Sequence, residues 1–362
     1  MDRGIAQKPT AVDLFAGAGG CTLGLRKAGF HVLAAFDIDA SKAKTLLRNH
    51  PGTRVLGLSG NDGDVRHLRP NLLRKIAGMD DRGLDLMVAC PPCQGFSMQG
   101  NRDPNDQRNS LYLEFLRLVS NILPRTIAFE NVPGLLSSQD GRVYGEIVVD
   151  LEKIGYSTST WILNASDYGV PQSRKRLFLV GVLSGSLPRI PQVVEPQRTV
   201  WESIADLPTR RPSEVDGGRS IGVKYRGIPR SAYAKELRGS RSRVANCETT
   251  THSPTMIKRM SDLRWGERDD ATWQRRLHPH KPSPTLTAGT KTRTACRPIH
   301  PFACRVLTVR EGARLSSFPD WYRFPAQKAE AWSQIGNAVP PLMAEAVFRQ
   351  LRRCLDTRTP MT

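Results

Sequence analysis

The sequence predicts an α/β protein: a doubly wound, mostly parallel sheet joined to a smaller irregular domain. Three observations predict it. Through the first half, short apolar runs alternate with helical patterns, the order that builds βαβ units and a parallel sheet. A glycine-rich turn, Gly17-Ala18-Gly19-Gly20, follows the first apolar run and opens a helix, as in nucleotide-binding sheets. Near Gly185 the regular alternation stops, and from Pro188 to about Pro284 proline, glycine, serine and arginine dominate.

Taken in order, Ala11 to Phe15 reads as the first strand, and the helix after the glycine turn ends near Ala28-Gly29, glycine being the usual terminator. His31 to Phe36 is the second strand and Ser41 to Arg48 the second helix. Leu84 to Ala89 is a buried strand cut short by Pro91 and Pro92, which cannot donate to a ladder. Leu111 to Ile122 carries apolar residues at 111, 115, 118, 119 and 122, a helical stripe, and Thr126 to Phe129 is the strand that follows. Val143 to Ile154 is a further helix. Ser159 to Ala165 and Leu177 to Leu183 form a closing pair of strands. Helical periodicity returns at Val309 to Leu315 and at Pro340 to Leu355. The expected division is a first domain of residues 1–187 completed by 331–362, an irregular domain of 188–284, and a connecting segment of 285–330.

The 362 residues carry a net charge of +19. Arginine clusters between Arg189 and Arg314, as in Arg210-Arg211, Arg238 with Arg241 and Arg243, and Arg275-Arg276, fit a polyanion partner whose phosphates they would neutralise. No apolar run approaches the ~18 residues that span a membrane. Met1 to Thr10 lacks the apolar core of a signal peptide, so a soluble cytoplasmic protein is expected. Seven cysteines in this length make no disulfide scaffold. Cys21, Cys247, Cys296, Cys304 and Cys354 read as small, mostly buried apolar residues.

Two regions carry chemistry. In the first, Asp13-Leu14-Phe15-Ala16-Gly17-Ala18-Gly19-Gly20 is a tight βα turn, yet a dinucleotide fingerprint would need glycine where Thr22 stands. Asp37, about 20 residues after the turn, is placed to accept from a ribose diol. Asp64, in Gly63-Asp64-Val65, is positioned for an adenine amino group. An adenosyl ligand without a pyrophosphate suits this set. S-adenosyl-L-methionine matches, its sulfonium favouring carboxylates and π faces such as Phe15. In the second region, Val88-Ala89-Cys90-Pro91-Pro92-Cys93-Gln94-Gly95-Phe96-Ser97 presents a thiol at a strand mouth. Cys93 is either a nucleophile, or half of a Cys90-x-x-Cys93 redox or metal pair.

With these motifs in place, the chain resembles the DNA cytosine-5 methyltransferases, nearly end to end. The resemblance rests on Asp13 to Gly20, Asp37, Gly63-Asp64-Val65, Pro92-Cys93-Gln94, Leu111 and Glu130-Asn131-Val132. It continues through Gln172-Ser173-Arg174-Lys175-Arg176, Pro284-Thr285-Leu286-Thr287, Leu307 to Leu315, and Ile335-Gly336-Asn337-Ala338-Val339-Pro340. Asp37 stands where many members have glutamate, and residues 189–283 match no recognition region known to us. The resemblance implies a Rossmann-like methyltransferase domain with a smaller DNA-recognition domain, no metal, and S-adenosyl-L-methionine held by Phe15, Gly17, Gly19, Gly20, Asp37, Ile38, Asp64, Val65, Pro92, Leu111, Asn337 and Ala338. It implies a bacterial restriction–modification or solitary enzyme acting as a monomer at the nucleoid. Its partners would be double-stranded DNA and, without a stable complex, a cognate endonuclease acting on the same site.

The chemistry follows. A thiolate is strongly nucleophilic even when partly ionised, so Cys93 adds to cytosine C6 and makes C5 able to attack a methyl group. Glu130 is placed for N3 of the base, and partial burial should favour its protonated form. Arg174 and Arg176, two apart on an extended segment, project to one face. By resemblance Arg174 would contact the target base or polarise its O2, and Arg176 would order the site. Enzymes of this class extrude the base from the duplex. Gln94 to Arg108 has the composition of a mobile lid; Gln99 is expected to enter the gap, Arg108 to grip phosphate and Thr285 to contact DNA. Prolines between Cys90 and Cys93, and no partnering Cys/His set, weigh against the redox or metal pair, leaving Cys90 as packing. Two other functions compete: an RNA cytosine-5 methyltransferase, disfavoured by the large basic insert and by the lack of a Cys-Phe-Thr segment near Arg176, and a catalytically dead DNA-binding module, disfavoured by intact Cys93, Glu130, Arg174 and Asn337.

Overall fold

The computed structural model describes residues 8–80, 83–92, 111–209, 222–288 and 298–356. They fall into two compact units: 1–163, 175–192 and 344–362 in one, 164–174 and 193–343 in the other.

The first unit holds a seven-stranded sheet. Its strands are β1 (Thr10–Leu14), β2 (His31–Phe36), β3 (Arg54–Leu56), β4 (Leu86–Ala89), β5 (Thr126–Asn131), β6 (Ser157–Asn164) and β7 (Lys175–Val182). The order is β3-β2-β1-β4-β5-β7-β6. Pairs β1–β2, β2–β3, β1–β4 and β4–β5 are parallel, and β5–β7 is antiparallel. This is the doubly wound, mostly parallel sheet expected. Its central strands are buried along their whole length, hence their near-continuous apolar sequence. The helices are α1 (Gly20–Lys27), α2 (Ala40–Asn49), α3 (Pro70–Ala77), α4 (Leu111–Ile122) and α5 (Arg142–Ile154). Phe115 of α4 meets Phe129 of β5 with ring centroids 5.4 Å apart.

Three differences from the sequence reading have simple causes. β3 is too short to show alternation, and α3 too short to show a full stripe, so both went unread. β5 runs two residues beyond Phe129, so Glu130 lies inside the strand, opposite Phe178. The boundary of the units also differs from the composition boundary: Asn164–Arg174 clusters with the second unit, and the tail joins the first only from Ala344. There a Cβ on Gly24 of α1 would lie 2.5 Å from that of Ala344, so glycine permits the close approach. Arg352 donates to the carbonyl of Ala28 at 3.0 Å, and Arg125 to that of Leu355 at 3.2 Å.

The second unit is less irregular than its composition suggested. It contains α6 (Val200–Ile204), α7 (Ala232–Arg238), α8 (Pro254–Asp262), α9 (Val309–Leu315), α10 (Lys328–Asn337) and the start of α11 (Pro341–Asp356), with the two-residue strands β8 (Val223–Lys224) and β9 (Arg243–Val244) paired antiparallel. Capping residues, not periodicity, announce the short helices. Thr199 and Glu202 form a capping box on α6, Thr308 and Glu311 another on α9, and Ser231 and Ser253 cap α7 and α8. Its centre is ionic. Arg314 is fully buried, bonded to Asp206 at 2.6 Å and Asp320 at 2.7 Å, while Arg310 donates to the carbonyls of Ala245, Pro319 and Tyr322. Among the described residues no helix is long and apolar enough to cross a membrane.

Candidate active site

In the first unit, β1 and β4 are neighbours, but the chain leaves them in opposite directions across the sheet. Ligands bind at such a switch point, beyond the carboxyl ends of the strands. The glycine turn leaves the end of β1, and Cys90-Pro91-Pro92 leaves the end of β4, with the Cys90 N–H bonded to the Leu14 carbonyl at 3.2 Å.

The turn is held in a conformation few residues adopt. Phe15 has φ 57°, a left-handed value uncommon for an aromatic residue, and Gly17 and Gly19 have φ 58° and 90°. Gly17 donates its N–H to Asp37 Oδ2 at 2.8 Å, and Asp39 donates to Oδ1 at 2.9 Å. Asp37 therefore ties the turn to the end of β2. Burial raises its pKa, opposed by Lys42, whose Nζ is 3.9 Å away. Its backbone is equally fixed: a Cβ on Gly57 or Gly63 would lie 1.7 or 2.2 Å from the Asp37 carbonyl oxygen. Nothing lies within 4 Å of where a Gly17 Cβ would stand, so the turn faces open space. Ile38 beside it is 58% exposed, unusual for an isoleucine in a packed unit. Gly20 begins α1, Leu111 begins α4 half-buried, and Pro92 is exposed.

Asp64 is more committed than its sequence position implied. It caps the turn Val65–His67, and Arg66 grips both of its oxygens, at 3.0 Å through Nε and 2.7 Å through Nη2. That pairing holds its pKa below the usual carboxylate value. Val65 is buried.

Beside the turn lies a group of side chains that sequence reading assigned no role in chemistry. Asp13, wholly buried in β1, accepts from the Thr22 hydroxyl at 2.6 Å through Oδ2, while its Oδ1 has no hydrogen-bond partner. Burial pushes its pKa up to about 7. The thiols of Cys21 and Cys90 meet at 3.3 Å, so Cys90 does more than fill space. Contact with Cys21 and burial push the Cys90 pKa far up. Both cysteines are free thiols, and among the described residues no cluster of His, Cys, Asp or Glu could hold a metal. An orphaned buried carboxylate oxygen, the Asp37 acceptor and the open glycine turn form a donor-poor, acceptor-rich set that suits an adenosyl cation.

Glu130 on β5 and Arg176 on β7 are diagonal neighbours across the antiparallel pair, since Glu130 stands opposite Phe178. Arg176 Nε lies 3.0 Å from Glu130 Oε1. The guanidinium and the carboxyl fix each other's orientation.

In the second unit the segment Gln172-Ser173-Arg174 runs beside Ser283-Pro284-Thr285-Leu286. Ser173 donates to Ser283 O at 2.8 Å, Leu286 N–H donates to Gln172 Oε1 at 3.0 Å, and Thr285 Oγ1 donates to Ser173 O at 2.8 Å. Arg174, 2% exposed, donates through Nη1 to Leu286 O at 3.0 Å. Arg174 and Arg176 therefore have different partners, although residues two apart were expected to act together. Trp332 of α10 donates to Thr287 O at 3.1 Å, and a Cβ on Gly336 would sit 2.4 Å from Ala288 N. Asn337, exposed, and Ala338, half-buried, end that helix. Gln172, Gly336, Gly57 and Asp13 were missed as positioning residues. Asp13, Gln172 and Gly336 stand in the family motifs and Gly57 does not, but the groups they meet are distant in sequence. Cys93, Gln99 and Arg108 lie outside the described residues.

The family model for C-5 cytosine-specific DNA methylase matches residues 10–353. The chain is 37% identical over 371 residues to type II methyltransferase M.XorII of Xanthomonas oryzae pv. oryzae, covering 96% of this chain and 85% of that protein. It is 34% identical to type II methyltransferase M.DdeI of Desulfomicrobium norvegicum, over 94% of this chain and 88% of that one. A solved E. coli structure, described as a DNA modification methyltransferase encoded within a prophage, superposes with TM-score 0.84 at 30% identity, over 96% of this chain and 99% of that chain. The chain belongs to the C-5 cytosine-specific DNA methylase family and is a DNA (cytosine-5-)-methyltransferase.

Proposed function

We propose that the enzyme methylates C5 of a flipped cytosine in a specific double-stranded DNA sequence, through a covalent bond between Cys93 and C6, as the modification arm of a restriction–modification system. The observation that carries the reading is the Glu130–Arg176 pair, at the carboxyl end of β5, which pairs parallel with β4, the strand that Cys90-Pro91-Pro92 leaves.

S-adenosyl-L-methionine, when bound, supplies the methyl group. Phe15 would offer a π face to its sulfonium, Ile38 would line the pocket, Asp37 would accept from its ribose, and Gly17, Gly19 and Gly20 would let the backbone approach it. Val65, Pro92 and Leu111 would line that pocket. Asp64 would accept from the adenine amino group in competition with Arg66, which holds both of its oxygens. At the base, the Cys93 thiolate forms the sulfur–C6 bond while Glu130 stabilises N3, so the electron pair of the 5,6 bond becomes available at C5. Arg176 holds the Glu130 carboxyl in place, and Arg174 polarises O2. C5 takes the methyl group, loses its proton to a base, and the C6–sulfur bond breaks to regenerate Cys93. Gln99 fills the vacated stack, and Arg108 and Thr285 contact the DNA backbone. A cognate endonuclease would read the same site without forming a stable complex.

The test is duplex DNA carrying 5-fluorocytosine, whose C5 has no proton to lose. The wild-type protein with S-adenosyl-L-methionine should form an adduct stable to denaturing electrophoresis, and Cys93→Ala should not. No adduct, or one that survives Cys93→Ala, overturns the covalent route. Labelled methyl transfer to tRNA in preference to duplex DNA overturns the substrate.

A further inference from the structure

Asp13 is wholly buried, its Oδ1 has no hydrogen-bond partner, and among the described residues no cationic side chain pairs with it. The groups around it come from every neighbouring element. Thr22 and Cys21 face it from α1, and Asp37 repels it from the end of β2. Cys90 comes from the end of β4 and feels Asp13 and Glu130 of β5 as negative charges. Lys42 lies against Asp37 and Arg176 against Glu130. Among the described residues, the Thr22 hydroxyl is the favourable side-chain contact of an Asp13 carboxylate. An ionised carboxylate in such a place is strongly disfavoured unless a positive charge arrives.

We propose that Asp13 is a positioning residue that releases its proton when the cationic cofactor binds at the glycine turn, so that cofactor affinity and proton release are coupled. The proposal rests on the S-adenosyl-L-methionine reading given above. The physical cause is linkage: a ligand that prefers the ionised form of a group draws the proton off that group. The free carboxyl titrates at about 7. About half a proton should therefore leave per cofactor bound at pH 7, close to one below pH 6, and almost none above pH 8. Affinity should fall about tenfold for each pH unit below 7 and level off above it.

Calorimetric titration of the full-length protein with S-adenosyl-L-methionine, in paired buffers of different ionisation enthalpy at pH 6, 7 and 8, counts the released protons directly. Wild type should show the stated series, and Asp13→Asn should release none at any pH. Thr22→Val tests the same group by a milder change: losing the hydroxyl that supports the carboxylate should move the release window to higher pH. Binding without proton release at pH 6 and 7, or release that persists in Asp13→Asn, or a window unmoved in Thr22→Val, overturns the coupling while the cofactor reading stands. A wild-type protein that binds no S-adenosyl-L-methionine overturns both.

Discussion

Glu130 shows how a single residue acquires its setting. Its identity in the Glu-Asn-Val motif was legible, but its partner was not, because Arg176 lies 46 positions away and meets it only through the β5–β7 register. A buried carboxyl beside a guanidinium is fixed in direction, which suits a group that must meet the edge of a base. Glu130→Gln keeps the shape and removes the titratable oxygen. Single-turnover methylation should slow by at least about 10²-fold, with duplex binding in a gel-shift assay nearly unchanged. An equal loss of binding would instead assign Glu130 to holding DNA. Asp64 gives the converse lesson: the residue was legible, but its capture by Arg66 was a matter of local geometry.

At the scale of elements, α9 organises the second unit through charge. Arg314 joins it to Asp206, just after α6, and to Asp320 in the segment that follows. These groups are 5% and 3% exposed, so each depends on the other for its solvation. Arg314→Met would leave two buried carboxylates to longer cation contacts, with Arg238 3.8 Å from Asp206 and Arg310 3.9 Å from Asp320. We expect a loss of about 3–5 kcal/mol in urea denaturation, large among single substitutions. A loss below about 1 kcal/mol would show that water replaces the guanidinium. The periodicity of α9 was readable from Val309 to Leu315, whereas α6, α7 and α8 were not, being one or two turns set by Thr199, Ser231 and Ser253.

At the scale of the whole molecule, each unit contains a histidine that burial keeps neutral. His50, in the first unit, has its pKa lowered to about 3, and His300, in the second, to about 4. A depressed folded value means that the unfolded chain binds protons first as pH falls. Their contribution is therefore present above about 6.5 and is lost between there and pH 4. Asp13, with its raised value, works the other way, losing its contribution between about 4 and 7. Asp37, also raised by burial, acts in the same sense as Asp13. The histidine contribution is therefore read as a difference: from pH 6.5 to pH 4.5 the urea midpoint should fall more, or rise less, in wild type than in His50→Gln. An identical pH profile for the two proteins would rule His50 out.

The sequence by itself determined the alternation that makes a parallel sheet, the glycine turn, the thiol-bearing loop and the family motifs, because each is local in the chain. Residues two or four apart, or a glycine beside a strand end, declare their geometry directly. Tertiary structure alone decided which charges meet. It paired Arg176 with Glu130 and Arg174 with the Leu286 carbonyl, brought Cys21 to Cys90, and left Asp13 buried with one oxygen unanswered. The reason is physical. A strand or helix follows from neighbouring residues, but the ionisation and orientation of a buried polar group follow from whatever the fold sets against it, most often from far along the chain.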